Sequence, residues 1–144
     1  MSFTSDIRSA SKILNESMED TSRNVIQALF KGVIQSTPAD TGRLRGNWGV
    51  GVNNSNTGNR NRTGASGAIG EVKSKVTGRP AKYWLVNNLP YAVVAEYGKW
   101  GTGSGATEKT TRDGYSVQAP KGMVRVNVVR IMRNIKNLIR KGAV

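Results

Sequence analysis

A chain of 144 residues with 37% hydrophobic side chains and 17 further glycines can bury one core, and it reads as a single domain over 1–144. It has neither cysteine nor histidine, which removes disulfides, thiolate metal sites and the usual general base near neutral pH. Only nine carboxylates remain for acid–base or metal chemistry, against 22 basic side chains, so the composition argues against an enzyme.

The net charge of +13 is unevenly placed. Residues 1–42 hold four basic and five acidic side chains, and 43–144 hold eighteen and four. Such a field suits nucleic acid, an acidic protein surface or an anionic membrane, and charge alone does not choose among them. No apolar run approaches the length that crosses a bilayer, and Met1-Ser2-Phe3-Thr4-Ser5-Asp6 has no signal-peptide character. The expectation is a chain made in a cytosol, with no membrane partner.

Residues 5–36 predict one long amphipathic helix within the segment 1–37. Ile7, Leu14, Met18, Val25, Leu29 and Val33 recur at helical spacings, Ser5 can cap the start, and Thr37-Pro38 ends it. The expected role is a surface helix laid on a sheet. The segment 38–98 reads as the sheet region. It opens on a turn, Pro38-Ala39-Asp40-Thr41-Gly42, in which proline presets φ, Asp40 can accept from backbone amides and Gly42 can take positive φ.

Leu44, Trp48, Val50 and Val52 then alternate as a strand with one buried face. Residues 53–68 read as a polar, glycine-rich loop carrying Arg60 and Arg62, with little to bury and therefore little order in a lone subunit. Further strands are expected at 69–76 and 83–87, with Trp84 and Tyr91 in the core. Tyr91–Tyr97 fits either a short helix or a strand. A second loop, 99–118, carries Trp100, expected to be exposed, and Arg112. Within 119–144, Val124, Val128, Ile131, Ile135 and Leu138 mark a second amphipathic helix, studded with Arg125, Arg130 and Arg133. The expected class is α+β: a long N-terminal helix, a small, mostly antiparallel sheet with long loops, and a basic C-terminal helix.

Two enzyme-like patterns are weak. Gly103-x4-Glu108-Lys109-Thr110 puts a glutamate where a phosphate loop needs glycine. Asp40 with Glu71 and Lys73 is similar to the carboxylate–lysine set of magnesium-dependent nucleases, provided Glu71 and Lys73 share one face of a strand. No residue is assigned to catalysis, a cofactor or a metal.

Three segments resemble one known family. Thr37-Pro38-Ala39-Asp40-Thr41-Gly42-Arg43-Leu44, followed by Trp48, is similar to the Thr-Pro-x-Asp-Thr-Gly-x-Leu-x-x-x-Trp signature of phage tail-completion proteins, also described as neck or minor tail proteins. Asn88-Leu89-Pro90-Tyr91-Ala92, then Glu96-Tyr97-Gly98, resembles that family's Asn…Tyr-Ala…Glu-x-Gly segment. Gln118 to Arg125 resembles the opening of its C-terminal helix.

The resemblance implies a non-enzymatic virion protein, without cofactors, that forms a hexameric ring at the head–tail junction. Its implied partners are itself, a tail terminator or tail tube protein, a head connector or adaptor, and the DNA passing through the channel. In that light Pro38, Asp40 and Gly42 fix a turn, Leu44, Trp48 and Tyr91 hold the core, and Glu96 pairs with Arg43 or Arg45. The candidate interface residues are Arg43, Arg45, Arg60, Arg62, Trp100, Arg112, Arg125, Arg130 and Arg133.

Six copies at +13 would carry +78. A ring roughly 35 Å tall encloses only about twenty phosphate charges, at one per 1.7 Å of duplex axis. Most of the basic side chains are therefore expected to face protein rather than DNA. Two other readings stay open: a basic DNA-binding structural or packaging protein, and a metal-dependent nuclease.

Overall fold

The computed structural model describes residues 3–39, 41–55, 57–98, 111, 113 and 115–140, with backbone alone for 137–140. In chain order the elements are α1 (Phe3–Ser36), α2 (Arg43–Gly46), β1 (Gly49–Val52), α3 (Ala65–Lys75), β2 (Tyr83–Val86), α4 (Tyr91–Tyr97) and α5 (Val124–Arg140). The fold is α+β, with a long first helix and a small antiparallel sheet. Asp40, Trp100, Arg112 and most of the loop 99–118 lie outside the described residues.

The 34 residues of α1 make a rod about 51 Å long at 1.5 Å per residue. Only its C-terminal part is buried, through Phe30, Val33 and Ile34, with Ile26 and Leu29 against the same core. Toward the N-terminus, Phe3, Leu14 and Met18 are 79%, 64% and 62% exposed. The expected helix is present, but its first half is not laid on a sheet. Ile7, Leu14 and Met18 point roughly a third of a turn away from the core-facing side at 100° per residue.

Thr37 ends the helix as expected and adds a cross-link. Its hydroxyl donates to the Val33 carbonyl at 2.8 Å and accepts from Trp48 Nε1 at 2.8 Å. Gly42 takes φ 78°, and its carbonyl accepts from the amides of Gly46 and Gly64 at 2.9 and 2.8 Å. A Cβ at Gly42 would stand 2.9 Å from the Gly64 nitrogen, so two independent constraints exclude a side chain. Gly42→Val should therefore lower stability by about 1–3 kcal/mol, measured by urea unfolding. Unfolding at the wild-type midpoint would remove this account of the turn.

Three expectations for the sheet region fail. Leu44 lies in the short helix α2 rather than in a strand, and only Gly49–Val52 pairs with Tyr83–Val86, in the register Gly49↔Val86 to Val52↔Tyr83. The segment 69–76, expected to be a strand, lies largely in α3. Ala65, Ala68, Ile69, Val72 and Val76 follow a three-to-four spacing that seats them on the core. Gly67 and Gly70, each costly in a helix, sit on its exposed side and obscured that period.

Trp84 is 44% exposed rather than core, because strand alternation turns Tyr83 and Leu85 inward instead. A two-stranded ribbon is marginal alone, and α3 packed against β1 supplies the missing layer.

Tyr91–Tyr97 resolves as the helix α4. Pro90 stands at its start, where a missing N–H costs nothing, and Gly98 ends it at φ 68°. Ala92 is buried, while Tyr91 is half-buried against the core. A Cβ at Gly98 would meet the Tyr115 ring at 2.4 Å, so this glycine also makes room for the chain leading to α5.

Candidate functional site: an assembly surface

Two glutamates, Glu71 and Glu96, gather four basic side chains of the body. Glu71, on α3, accepts from the backbone N–H of Val50, from Arg60 Nε at 2.9 Å and from Arg62 Nη1 at 3.4 Å, with Lys75 Nζ at 4.0 Å. Arg62 also donates to the carbonyls of Gly46 and Trp48, each at 2.7 Å, and Arg60 donates to that of Thr57. Buried Asn47 completes the seam. Its amide donates to Asn87 Oδ1 at 2.9 Å, and its own oxygen accepts the Arg60 N–H at 2.7 Å.

The loop expected to lack order in a lone subunit is thus fastened to the sheet over its described residues 57–64. Its missing apolar groups are replaced by charge-assisted hydrogen bonds, which are among the stronger kind. Burial pushes the Glu71 carboxyl up, but the hydrogen bonds from Arg60 and Val50 and the charges of Arg60 and Lys75 outweigh it. The group stays below its ordinary value of 4.5.

Glu96, on α4, performs a different task. Its carboxylate accepts the backbone N–H groups of Met123, Val124 and Arg125 at 2.7, 2.8 and 3.1 Å, and Arg125 Nε at 2.9 Å. Those amides open α5, where no helical carbonyl can reach them and the helix dipole favours a negative group. Arg125 stacks 4.7 Å above the Tyr97 ring and donates to the Glu96 carbonyl at 2.6 Å. Burial again pushes the carboxyl up, and the three amides and Arg125 more than reverse it.

Both carboxyls therefore titrate lower folded than unfolded. Their contribution is present in full above the ordinary carboxylate value of 4.5 and is lost as pH falls through the lowered folded values. The melting temperature should be level above about pH 5 and drop steeply below it. An unchanged melting temperature at pH 3.5 would contradict the two networks.

The interface candidates divide accordingly. Arg45, Arg60, Arg62 and Arg125 are engaged within the chain. Arg45 donates to the Thr37 carbonyl at 2.9 Å (Nε) and 2.7 Å (Nη2), so the pairing expected between Glu96 and Arg43 or Arg45 is replaced by Glu96 with Arg125. Arg43, Arg130 and Arg133 are exposed, as an interface requires. The carboxylate–lysine strand set is overturned: Glu71 and Lys73 lie two residues apart on a helix, on different faces, with the Glu71 oxygens already engaged.

Most of the exposed large apolar side chains lie on helices. On α5, buried Asn127 faces inward, donating to Ser36 Oγ at 3.0 Å and to the Met123 carbonyl at 2.6 Å. The other side exposes Val126, Val129 and Met132. A groove of about 630 Å³ there is lined by Val126 and Val129 with Arg125, Arg130, Arg133 and Lys121, and by one carboxylate, Asp113.

Comparison of the chain with protein-family models, curated proteins and solved structures found no match. Among the described residues no cluster of carboxylates is placed to hold a metal ion, and no helix is long and apolar enough to cross a membrane. Sequence reasoning missed the hub residues Asn47, Asn87 and Asn127, and placed Glu71 in a carboxylate–lysine set rather than at an arginine hub. A polar residue at the edge of an apolar stretch carries no local signal that its partners lie dozens of residues away.

Proposed function

We propose that this chain is a structural subunit of a tailed-phage virion, a tail-completion or neck component that assembles around the DNA channel between head and tail. The observation that carries the reading is the division of surface. Arg60, Arg62, Lys75 and Arg125 are tied to Glu71 and Glu96, while both terminal helices expose large apolar side chains such as Leu14, Met18, Val129 and Met132. Apolar side chains exposed in rows along two helices favour a subunit with neighbours. The resemblance of the Thr-Pro-x-Asp-Thr-Gly turn and the Glu-x-Gly segment supplies the virion context. Those motif residues do structural work: Thr37 bonds Trp48, Gly42 closes the turn and Glu96 caps α5.

The test is a deletion of the gene in the phage or prophage that carries it. The expected result is full heads and separate tails by electron microscopy, with the chain present in wild-type virions. Normally joined particles after deletion would overturn the proposal. A basic DNA-binding role is the second reading, favoured by exposed Arg130, Arg133 and Lys136 along α5. It requires duplex binding by the isolated chain that weakens steeply with salt.

A further inference from the structure

Two exposed helical faces of this chain are complementary to each other. The first lies on the N-terminal half of α1. At 100° per residue, Phe3, Ile7, Ile13, Leu14 and Met18 fall on one side of the helix. Asp6 lies on that side and Asp20 at its edge, whereas Arg8 and Lys12, together with Glu16 and Glu19, project from the other side. The salt bridge from Asp20 to Arg23, 3.1 Å, is on the surface and holds Asp20 only weakly. The second face lies on α5, where Val126, Val129 and Met132 form a ridge at three-residue spacing among Arg125, Arg133 and Lys136. One face is apolar with acidic flanks, the other apolar with basic flanks.

They cannot meet within one chain. The inner side of α5 lies against the C-terminal end of α1, with Asn127 bonded to Ser36 and Arg130 beside Gly32. The Val126–Met132 ridge therefore points away from the helix that would have to cover it.

We propose that the acid-flanked face of α1 of one copy docks on the basic ridge of α5 of a second copy. The contact joins two different surfaces, so each copy keeps one face of each kind, and repetition yields a closed ring or a helical array instead of a two-fold dimer. Opposite charge favours the pairing, the acid-flanked face of α1 against the ridge that carries Arg133 and Lys136, and the apolar side chains supply most of the affinity. The inference deepens the subunit reading above, but rests on it only for the premise that the chain assembles with itself.

The test uses the full chain and two variants, Leu14→Glu/Met18→Glu and Val129→Glu/Met132→Glu. All four positions are exposed, so circular dichroism and the melting temperature should match the wild type. Light scattering should show wild-type oligomers and each variant alone as a monomer, with association weakened at least about tenfold. An equimolar mixture should stop at a one-to-one heterodimer, because the first variant retains only the α5 face and the second only the α1 face. Asp6→Lys/Asp20→Lys should weaken the oligomer, and adding Arg133→Glu/Lys136→Glu to the same chain should recover part of the loss.

The proposal is overturned if the wild type is monomeric at all concentrations, if either variant still assembles alone, or if the mixture shows no heterodimer. It is equally overturned if α5 binds duplex DNA or anionic vesicles while the chain remains monomeric. The gene deletion reports separately: joined particles with intact self-assembly would remove the virion role and leave this interface standing.

Discussion

Glu96→Ala should lower the unfolding free energy by about 3 kcal/mol, the scale for removing one partner of a buried, hydrogen-bonded charge. The loss has two parts. Met123, Val124 and Arg125 keep amides that open α5 and would face no acceptor, and the Arg125 guanidinium loses its carboxylate. In a chain of this size the melting temperature should fall by roughly 10 °C. Glu96→Gln should fall between wild type and alanine, because one acceptor oxygen remains to cap the helix while the charge is gone. Equal losses in both variants would show that the charge carries the whole effect, and a loss below about 1 kcal/mol in alanine would show that α5 is held by its packing instead.

Glu71→Ala should be at least as damaging, at about 3–5 kcal/mol, because it leaves two guanidinium groups and the Val50 amide without their shared acceptor. Its signature should be local as well as global. Arg60 and Arg62 anchor the segment 57–64 to α3 and β1, so a protease with trypsin-like preference should cut at these arginines in the variant well below its melting temperature. The wild-type chain should resist under the same conditions. Cleavage of both proteins at the same rate would mean that the Asn47–Asn87 pair and the Gly42–Gly64 bond hold the segment without the glutamate.

The sequence made some of this legible and concealed the rest for definable reasons. The long helix and its stop at Thr37-Pro38 follow from periodicity and from the steric restriction before proline, both local. Gly42 at φ 78° follows from turn chemistry, also local. The segment 69–76 reads as a strand because Gly67 and Gly70 hide a helical spacing that needs Ala65 and Ala68 to complete it. The apolar period of α1 was visible, yet which side meets the core is decided by Ile26, Phe30 and Ile34, which stand off the stripe through Ile7, Leu14 and Met18. The family-like Glu96 was singled out, but its role depends on amides 27 to 29 residues later. No spacing rule relates a carboxylate to a helix end so far along the chain.

The free rod at the N-terminus has a consequence for timing. Residues 3–18 lie almost wholly in solvent, and a helix of that length in water is near the limit at which it sustains itself. Its amides should exchange with deuterium quickly in the lone subunit, while those around Phe30 to Ile34 exchange only on wider opening. A neighbour that grips this segment must also hold it helical, and coupled ordering of this kind removes a few kilocalories from the gross contact energy. In the proposed array each contact would order one such segment, so it would be weaker than its area suggests. A chain that assembles through such a segment would stay dispersed at low concentration and gather where a template raises the local concentration of its partner.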